Sequence, residues 1–225
     1  SSGNSSIGYY LFNASSMILS NNTSTRNSSD GFLMRTNSNC KLTNNTSSSN
    51  GAVGFNLFLS SDNNTLANNT SFNNKNHGFQ LDGSSNNKLT QNTADSNAKY
   101  AFYFNGSSAS DTFIKNNFVP SPYAAYKDSG VFNLSNNTHW LQRNWWSTAD
   151  SAALGKLISD TAGKIIYSPW RLGTVDTTAG ADTTAPKAPD TVAIIGSPSD
   201  TSIIVEWSAV TAIEESGNGG AVGLS

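Results

Sequence analysis

The chain has 225 residues and a formal net charge of −2 at pH 7, and only 12% of its residues are charged. This balance excludes the clustered Lys and Arg of a nucleic-acid-binding surface. A single cysteine excludes an intrachain disulfide framework, and no apolar run approaches the roughly 18 residues of a membrane span. The length allows one or two domains.

Residues 4–118 repeat with a period of 23 or 24 residues. The units align on Gly8, Gly31, Gly54, Gly78 and Ala101, after which they read YYLF, FLMR, FNLF, FQLD and FYFN. Three more columns keep this step: Leu19, Leu42, Leu66, Leu89 and Ile114; Asn22, Asn45, Asn69, Asn92 and Asn117; and Asn4, Asn27, Asn50, Asn74 and Asn97. A fixed period of this length is typical of a solenoid, in which each unit stacks on its neighbours.

Each unit contains short apolar segments of alternating character, such as Phe32-Leu33-Met34, separated by Asn, Ser, Thr and Gly. Alternation with a period of two is strand-like, and the intervening residues favour turns. A unit of this length suits one coil of a right-handed parallel β-helix, with two or three short strands per coil and ~4.8 Å between coils. The sequence therefore predicts an all-β fold of this class.

The columns predict which side chains face the interior. An aromatic ladder is expected from Tyr9, Phe32, Phe55, Phe79 and Phe102. A second inward row, two residues further on, comprises Leu11, Met34, Leu57, Leu81 and Phe104. The Asn columns are expected at turns, because Asn tolerates left-handed backbone angles, and their stacked side chains are expected to hydrogen-bond along the axis. Cys40 shares a column with Met17, Asn64, Asn87 and Thr112, which predicts a packing role.

The repeat pattern N-x-x-x-G-[FY]-x-[LMF] followed by L-[ST]-x-N-[TF] resembles the β-helix repeats of the pectin-lyase-like superfamily. It is most similar to the NosD-like repeats of microbial surface and periplasmic proteins. The resemblance covers residues 4–118 and implies the fold. It implies no single activity, since the superfamily includes lyases, hydrolases, epimerases, tail spikes and inert stalks.

Residues 119–172 are interpreted as a C-terminal cap, so that the β-helix domain spans residues 1–172. Two prolines at the start of this segment favour a loop, and Gly130 to Asn137 are expected to add an irregular coil. Ser147 and Asp150 form a possible capping pair before a short helix that includes Leu154. Lys164 to Tyr167 are expected to form a strand. The segment also resembles the N-[YW]-W-G…P-W tail of such repeats, with Ser147 in place of the Gly.

Residues 173–187 have the composition of a linker, and residues 188–225 resemble the opening of a fibronectin type III module. Strands are expected at Val192–Ile194 and Ser202–Trp207, with Trp207 in the core. Two strands cannot close a sandwich. The segment is therefore expected to be incomplete, disordered, or completed by another chain.

Residues suited to catalysis are scattered along the repeats. Glu is absent from residues 4–118, and each Asp falls in a different column: Asp30, Asp62, Asp82, Asp95 and Asp111. This pattern is typical of solvated turn residues, and no two of these carboxyl groups form an acid–base pair. His77 and His139 are far apart and are expected at turns or on the surface, not as metal ligands. No catalytic residue, metal site or cofactor is predicted.

Outward positions of the first strand in each unit form a strip that mixes aromatic, amide and charged side chains. The candidate ligand-binding residues are Tyr10, Phe12, Arg35, Phe58, Asp82 and Tyr103. A contiguous exposed apolar strip marks an interaction surface, and this one suits a polysaccharide or a neighbouring protein subunit equally well. The alternative is that the cap or a loop covers it.

The sequence thus favours a secreted or surface-displayed β-helix with a structural or adhesive role and no catalysis of its own. Polysaccharide binding through the strip is the first hypothesis. The second is a filament or surface layer, in which the open first coil or the unfinished C-terminal strands pair with another copy of the chain. The third is a carbohydrate-active enzyme, such as a lyase, hydrolase or epimerase.

Overall fold

The computed structural model describes residues 1–119, 130–148, 150–160, 163–173, 192–199 and 202–207. Three parallel sheets wind around one core, and each of the first five coils contributes one strand to each sheet. Sheet 1 contains β1 (Tyr9–Phe12), β4 (Phe32–Arg35), β7 (Phe55–Phe58), β10 (Phe79–Asp82), β13 (Phe102–Asn105), β16 (Val131–Asn133) and β18 (Ile158–Asp160). Sheet 2 contains β2 (Ile18–Ser20), β5 (Lys41–Thr43), β8 (Thr65–Ala67), β11 (Lys88–Thr90), β14 (Thr112–Ile114), β17 (His139–Trp140) and β19 (Ile165–Ile166). Sheet 3 contains β3 (Thr23–Thr25), β6 (Thr46–Ser48), β9 (Thr70–Phe72), β12 (Thr93–Asp95) and β15 (Asn117–Val119).

The predicted parallel β-helix is confirmed, with about six coils and a partial seventh. Coils are numbered here by their strand in sheet 1, so that β1 belongs to coil 1 and β18 to coil 7. The predicted aromatic ladder is present: Tyr9, Phe32 and Phe55 stack with centroid separations of 4.7 and 4.8 Å. Phe79 and Phe102 continue it at 4.9 and 4.8 Å. The second inward row is likewise buried.

Ladders of stacked Asn side chains run along the turns, as predicted. In the ladder that contains Asn69, the side-chain Oδ1 accepts from the backbone N–H of Asn45 at 2.9 Å and from its Nδ2 at 3.0 Å. Nδ2 of Asn69 donates to the Leu42 carbonyl and to Oδ1 of Asn92. Each amide thus satisfies buried backbone groups that the turn leaves without a strand partner.

Three column assignments in coil 5 are wrong by one residue. The Asn ladder continues from Asn92 to Asn116 and not to Asn117, and Leu89 pairs with Phe113 and not with Ile114. The Cys40 column likewise continues to Asp111, whose Oδ1 accepts from Asn87, and not to Thr112. At two of these sites a residue of the same class stands at the neighbouring position, so the sequence allowed either register.

The left-handed backbone angles also fall one residue earlier than predicted. They belong to the residue that precedes each ladder Asn, such as Asn44 before Asn45 and Asn68 before Asn69, both with φ of 55°. The ladder Asn itself is therefore free to point its amide inward along the axis.

The Gly column marks a close approach between sheets 1 and 3. A Cβ atom at Gly54 would lie 2.0 Å from Oγ of Ser71 and 2.7 Å from the carbonyl oxygen of Gly78. Ser71 Oγ donates to that carbonyl at 3.0 Å. In coil 5 Phe118 takes the serine position, and there the Gly column contains Ala101.

The coils continue beyond Phe118 into the segment predicted to be a cap. Trp146 is fully buried and stacks on Phe118 at 4.2 Å, and Asn144 extends the ladder beyond Asn116. The N-cap of helix α1 (Ser151–Leu157) is Asp150, whose side chain accepts from the N–H of Ala152. The proposed contribution of Ser147 to the cap is therefore wrong.

The predicted strand from Lys164 to Tyr167 is shorter, Ile165–Ile166. β20 (Val192–Ser199) and β21 (Ser202–Trp207) form an antiparallel hairpin, so both strands predicted near the C-terminus are present. The proline-containing loop at 120–129, most of the linker and the residues after Trp207 lie outside the described residues.

Replacing a ladder amide should destabilise the fold strongly. We expect Asn69→Ala to lower the free energy of unfolding by about 3 kcal/mol, because it leaves several buried donors and acceptors without partners. Urea unfolding with an unchanged m-value measures this loss. The matched control is Asn86→Gly, which removes an exposed amide at φ 58° and should stay within about 1 kcal/mol of the wild type. Equal losses in the two variants would contradict the ladder's role.

Candidate functional site

The outer face of sheet 1 carries all six residues of the predicted strip. Parallel pairing places the outward residues of successive coils side by side, in two rows. One row contains Tyr10, Leu33, Asn56, Gln80 and Tyr103, and the other contains Phe12, Arg35, Phe58, Asp82 and Asn105. Tyr10 and Phe12 are 51% and 60% exposed, so the start of the strip is open to solvent.

An arginine lies between two phenylalanines at this open end. The guanidinium carbon of Arg35 is 5.9 Å from the ring centroid of Phe12 and 6.0 Å from that of Phe58. Both distances are at the limit of a cation–π contact, which contributes about 0.5–1 kcal/mol at an exposed site. Tyr10 and Phe12 lie 6.0 Å apart, centroid to centroid. We call Tyr10, Phe12, Arg35 and Phe58 the arginine cluster.

Tyr103 belongs to a second group of rings further along the same face. It stacks on His77 at 4.3 Å, and Tyr100 stacks on His77 at 5.3 Å and on Phe132 at 4.9 Å. We call His77, Tyr100, Tyr103 and Phe132 the histidine cluster. The strip therefore contains two clusters, one built from coils 1–3 and the other from coils 4–6.

Asp82 lies between the two clusters. It is the register partner of Phe58 in the outer row, and it is half-buried. Burial raises the pKa of the Tyr103 hydroxyl, and the Asp82 carboxylate raises it further. Asp82 thus acts electrostatically on the histidine cluster, while Arg35 provides the positive charge of the arginine cluster.

His77 was predicted at a turn or on the surface; it lies between β9 and β10, as a turn residue would, but it is buried and not at the surface. Only 5% of the residue is exposed. Burial lowers the pKa of the imidazole to about 3, with a smaller contribution from Lys99, so His77 is neutral at pH 7. The residue precedes the Gly column, and the same position holds Asp30, Val53 and Tyr100, which are also buried. That shared position was the sequence signal for burial.

Two of the five aspartates in the repeats are buried as well, so the prediction of solvated turn residues is wrong for them. Asp30 accepts from the N–H of Val53 at 2.9 Å and from Nδ2 of Asn56 at 3.0 Å. Asp111 and His139 lie inside the coil, with 3.3 Å between Oδ2 and Nδ1 and no exposed side-chain surface. A pair in this position cannot reach a substrate on the outer face. His139 is thus also not the turn or surface residue that was predicted.

Within the described ranges, no group of three His, Cys, Asp or Glu side chains is placed to hold a metal ion. In the same part of the chain, no helix has the length and apolar character needed to cross a bilayer. The single cysteine, Cys40, is buried, in agreement with its predicted packing role.

Three parallel sheets, stacked side-chain ladders and a Gly column define a β-helix protein. Residues 2–144 match the family model described as "Right handed beta helix region". The chain therefore belongs to the right-handed β-helix family. Comparison with curated proteins gave no match.

Solved structures with the same fold include alginate epimerases. The periplasmic alginate epimerase AlgG superposes with a TM-score of 0.56 at 20% identity, covering 61% of this chain and 32% of AlgG. A point mutant of AlgG gives a TM-score of 0.52 at 16% identity, covering 75% of this chain and 47% of that one. The A-module of the mannuronan C-5 epimerase AlgE4 from Azotobacter vinelandii gives a TM-score of 0.49 at 14% identity, covering 61% of this chain and 46% of that module. At these identities the likeness to the two AlgG structures shows a shared fold. This chain spans less than half the length of each of the three structures.

The buried Asp30 predicts a pH-dependent stability. Burial raises the pKa of its carboxyl group despite the two hydrogen bonds that it accepts. Because the pKa of Asp30 is higher in the native state, its contribution to folding stability is fully present below the pKa of the unfolded state, about 3.9. This contribution is lost as the pH rises through the native pKa. We therefore expect Asp30→Asn to be more stable than the wild type at pH 7, with a difference that shrinks towards pH 4.

Urea midpoints at pH 4, 5.5 and 7 measure this difference. Asn56 can turn its amide to meet the amide introduced at position 30, since its Oδ1 has no hydrogen-bond partner among the described residues. Asp95→Asn, in sheet 3, controls for the change in net charge. A wild type that is more stable than Asp30→Asn at pH 7 would contradict the expectation.

Proposed function

We propose that this chain is a non-catalytic binding module that holds a polysaccharide against the outer face of sheet 1. The observation that carries the proposal is the exposed arrangement of Arg35 between Phe12 and Phe58. An aromatic ring offers an apolar face to the C–H side of a sugar ring. A guanidinium group donates paired hydrogen bonds to a carboxylate or to neighbouring oxygens. The arginine cluster combines both kinds of contact on a flat surface.

The geometry of sheet 1 favours an extended ligand. Its outward side chains repeat with the coil spacing, about 4.8 Å, so a chain that lies along the axis meets a new pair of side chains at each coil. Two rings of the histidine cluster, Tyr103 and Phe132, are half-buried on the same face and add a second contact for the ligand. A linear polymer can contact both clusters, whereas a single sugar can contact only one.

The comparisons support a carbohydrate ligand at the level of fold. AlgG is a periplasmic alginate epimerase, which places carbohydrate chemistry among proteins of this fold. We propose a secreted location for the present chain on the same ground. The absence of catalysis is part of the proposal. The charged groups of the strip are Arg35 and Asp82, which lie two coils apart, and Asp111 and His139 are buried in the core.

Binding to immobilised polysaccharides tests the proposal. The panel contains a linear polyuronate, a neutral mannan and a neutral β-glucan. For the polysaccharide of this panel that the protein binds, we expect Arg35→Gln and Phe12→Ala each to raise the Kd about tenfold, or about 1.4 kcal/mol. Both side chains are exposed, so the fold should be retained. Arg26→Gln removes an exposed arginine at a different corner of the coil and is the matched control, with no expected loss.

Three further results would change the interpretation. Binding that is unaffected by Tyr10→Ala, Phe58→Ala and Tyr103→Ala combined would remove the strip from the function. Self-association that is abolished by Arg35→Gln would identify a protein neighbour as the partner. Cleavage or epimerisation of the polyuronate by the purified chain would identify an enzyme.

A further inference from the structure

A continuous network of polar side chains links coil 5 to coil 7 through the interior of the β-helix. We call it the polar network. Its members are Asp111, His139, Ser135, Asn133 and Asp160. The first four are buried, and Asp160 is half-buried. Asn133 occupies the inward row that holds Leu, Met or Phe in coils 1–5. The core therefore becomes polar where the last coils pack.

Each side chain of the polar network contacts the next one. Oδ2 of Asp111 lies 3.3 Å from Nδ1 of His139, and Nε2 of His139 lies 2.8 Å from Oγ of Ser135. Oγ of Ser135 is also 2.8 Å from Oδ1 of Asn133. Nδ2 of Asn133 donates to Oδ1 of Asp160 at 3.1 Å, and Oδ2 of Asp160 accepts from the backbone N–H of Ile165.

The positions of the hydrogen atoms in the polar network can be assigned by counting hydrogen-bond donors. The amide of Asn133 is oriented by Asp160, because only Nδ2 can donate to that carboxylate. Its Oδ1 therefore faces Ser135 and must accept the single hydroxyl hydrogen. Oγ of Ser135 then has no hydrogen left for His139, so Nε2 of His139 has to carry its own.

This assignment excludes Ser135 as a nucleophile, although Asp111, His139 and Ser135 follow one another in the order of a hydrolase triad. A general base needs a free lone pair on Nε2 to accept the hydroxyl proton. Here Nε2 is a donor, and the hydroxyl hydrogen points away from it. The polar network is an internal connection between coils and not an active site.

One titratable proton remains to be placed, between Asp111 and His139. Neither Oδ2 of Asp111 nor Nδ1 of His139 has another hydrogen-bond partner among the described residues. With one proton between them the two atoms form a hydrogen bond. Without this proton, a lone pair on Oδ2 of Asp111 faces a lone pair on Nδ1 of His139. With a second proton, two hydrogen atoms face each other. Both states are costly in a buried site.

We infer that Asp111 and His139 form a proton-dependent latch that keeps coil 7 attached to the β-helix. The described charged groups on the elements around His139 are Asp111 before β14, Asp160 on β18, and Lys164 before β19. The Lys164 backbone oxygen accepts from the N–H of His139, and its side chain is exposed. When the shared proton is lost, the hydrogen on Nε2 of His139 moves to Nδ1 to meet the Asp111 carboxylate. Nε2 then no longer donates to Oγ of Ser135, and the connection through Asn133 to Asp160 is broken. Coil 7 then opens, and β16 becomes the edge of sheet 1.

The variant Asp111→Asn tests the latch without disturbing the fold. The Cys40 column already contains Asn64 and Asn87 in the two preceding coils, so an amide at position 111 continues an existing ladder. Its Oδ1 can still accept from Asn87, and its Nδ2–H supplies Nδ1 of His139 with a hydrogen that does not titrate. The alkaline opening of coil 7 should therefore disappear.

Pulsed hydrogen exchange of the full chain measures the opening, with each rate divided by its intrinsic rate at that pH. In the wild type, protection of the amides in Ile158–Asp160 should fall at least tenfold as the pH is raised in steps from 5 to 9.5. In Asp111→Asn it should change by less than twofold. The strand Thr65–Ala67, which is remote from the latch, should stay protected in both. Flat protection in the wild type, or an equal fall in both proteins, would overturn the inference.

A second variant tests the connection to coil 7 independently. Asn133→Leu restores the apolar residue type of the other coils and removes the bond to Asp160. We expect coil 7 to be less protected at pH 7 and to show no further alkaline loss. An alkaline loss equal to that of the wild type would show that the connection does not run through Asn133. Nitrogen-15 spectra of the imidazole should report a proton on Nε2 of His139 at pH 7, and a bare Nε2 would overturn the assignment.

Discussion

The structure depends on the register between successive coils. Hydrogen bonds along the axis place each residue over its counterpart one coil away, and the side chains must repeat at the same short distance. Phenylalanine rings satisfy this condition by stacking face to face at 4.8 or 4.9 Å. Asparagine satisfies it differently, because its amide both donates and accepts along the axis. The turns can therefore be buried without leaving backbone groups unpaired.

The same register organises the outer surface. Residues that are 23 or 24 positions apart in the chain become neighbours, so a chemical cluster on the surface is built from several coils. Phe12, Arg35 and Phe58 come from three successive coils, and His77 and Tyr103 from the next two. A ligand that follows the axis would meet these groups one after another. Substitution of one side chain should weaken such a site without abolishing it.

The interior changes character where the ladders end. In coils 1–4 the inward rows consist of apolar residues, amides and serines, which carry no charge. In coils 5–7 the same columns contain Asp111, His139, Asn133 and Asp160. Burial also raises the pKa of Asp111, against its hydrogen bonds and the nearby His139. Ionisable groups in a core make its packing depend on protonation, which amide ladders cannot do.

The sequence by itself determined the architecture, because a β-helix repeats its physical requirements at each coil. Tyr9, Phe32 and Phe55 could be placed in one ladder from spacing alone, as could the Asn columns. The strip on the outer face followed from the alternation of side chains along each strand. Register failed only in coil 5, where Asn116 and Asn117 are equivalent as sequence and only one can join the ladder.

The tertiary structure alone decided what the isolated ionisable residues do. Asp111 and His139 are 28 positions apart and share no repeat column with another charged residue, so their pairing depends on the register of coils 5 and 6. In the core, Phe104 stacks on His139 at 4.1 Å. The division of the strip into two clusters likewise arises from side-chain directions, because His77 turns its ring onto Tyr103. A repeat pattern specifies which residues become neighbours, whereas contacts between unlike residues depend on the coordinates of the folded chain.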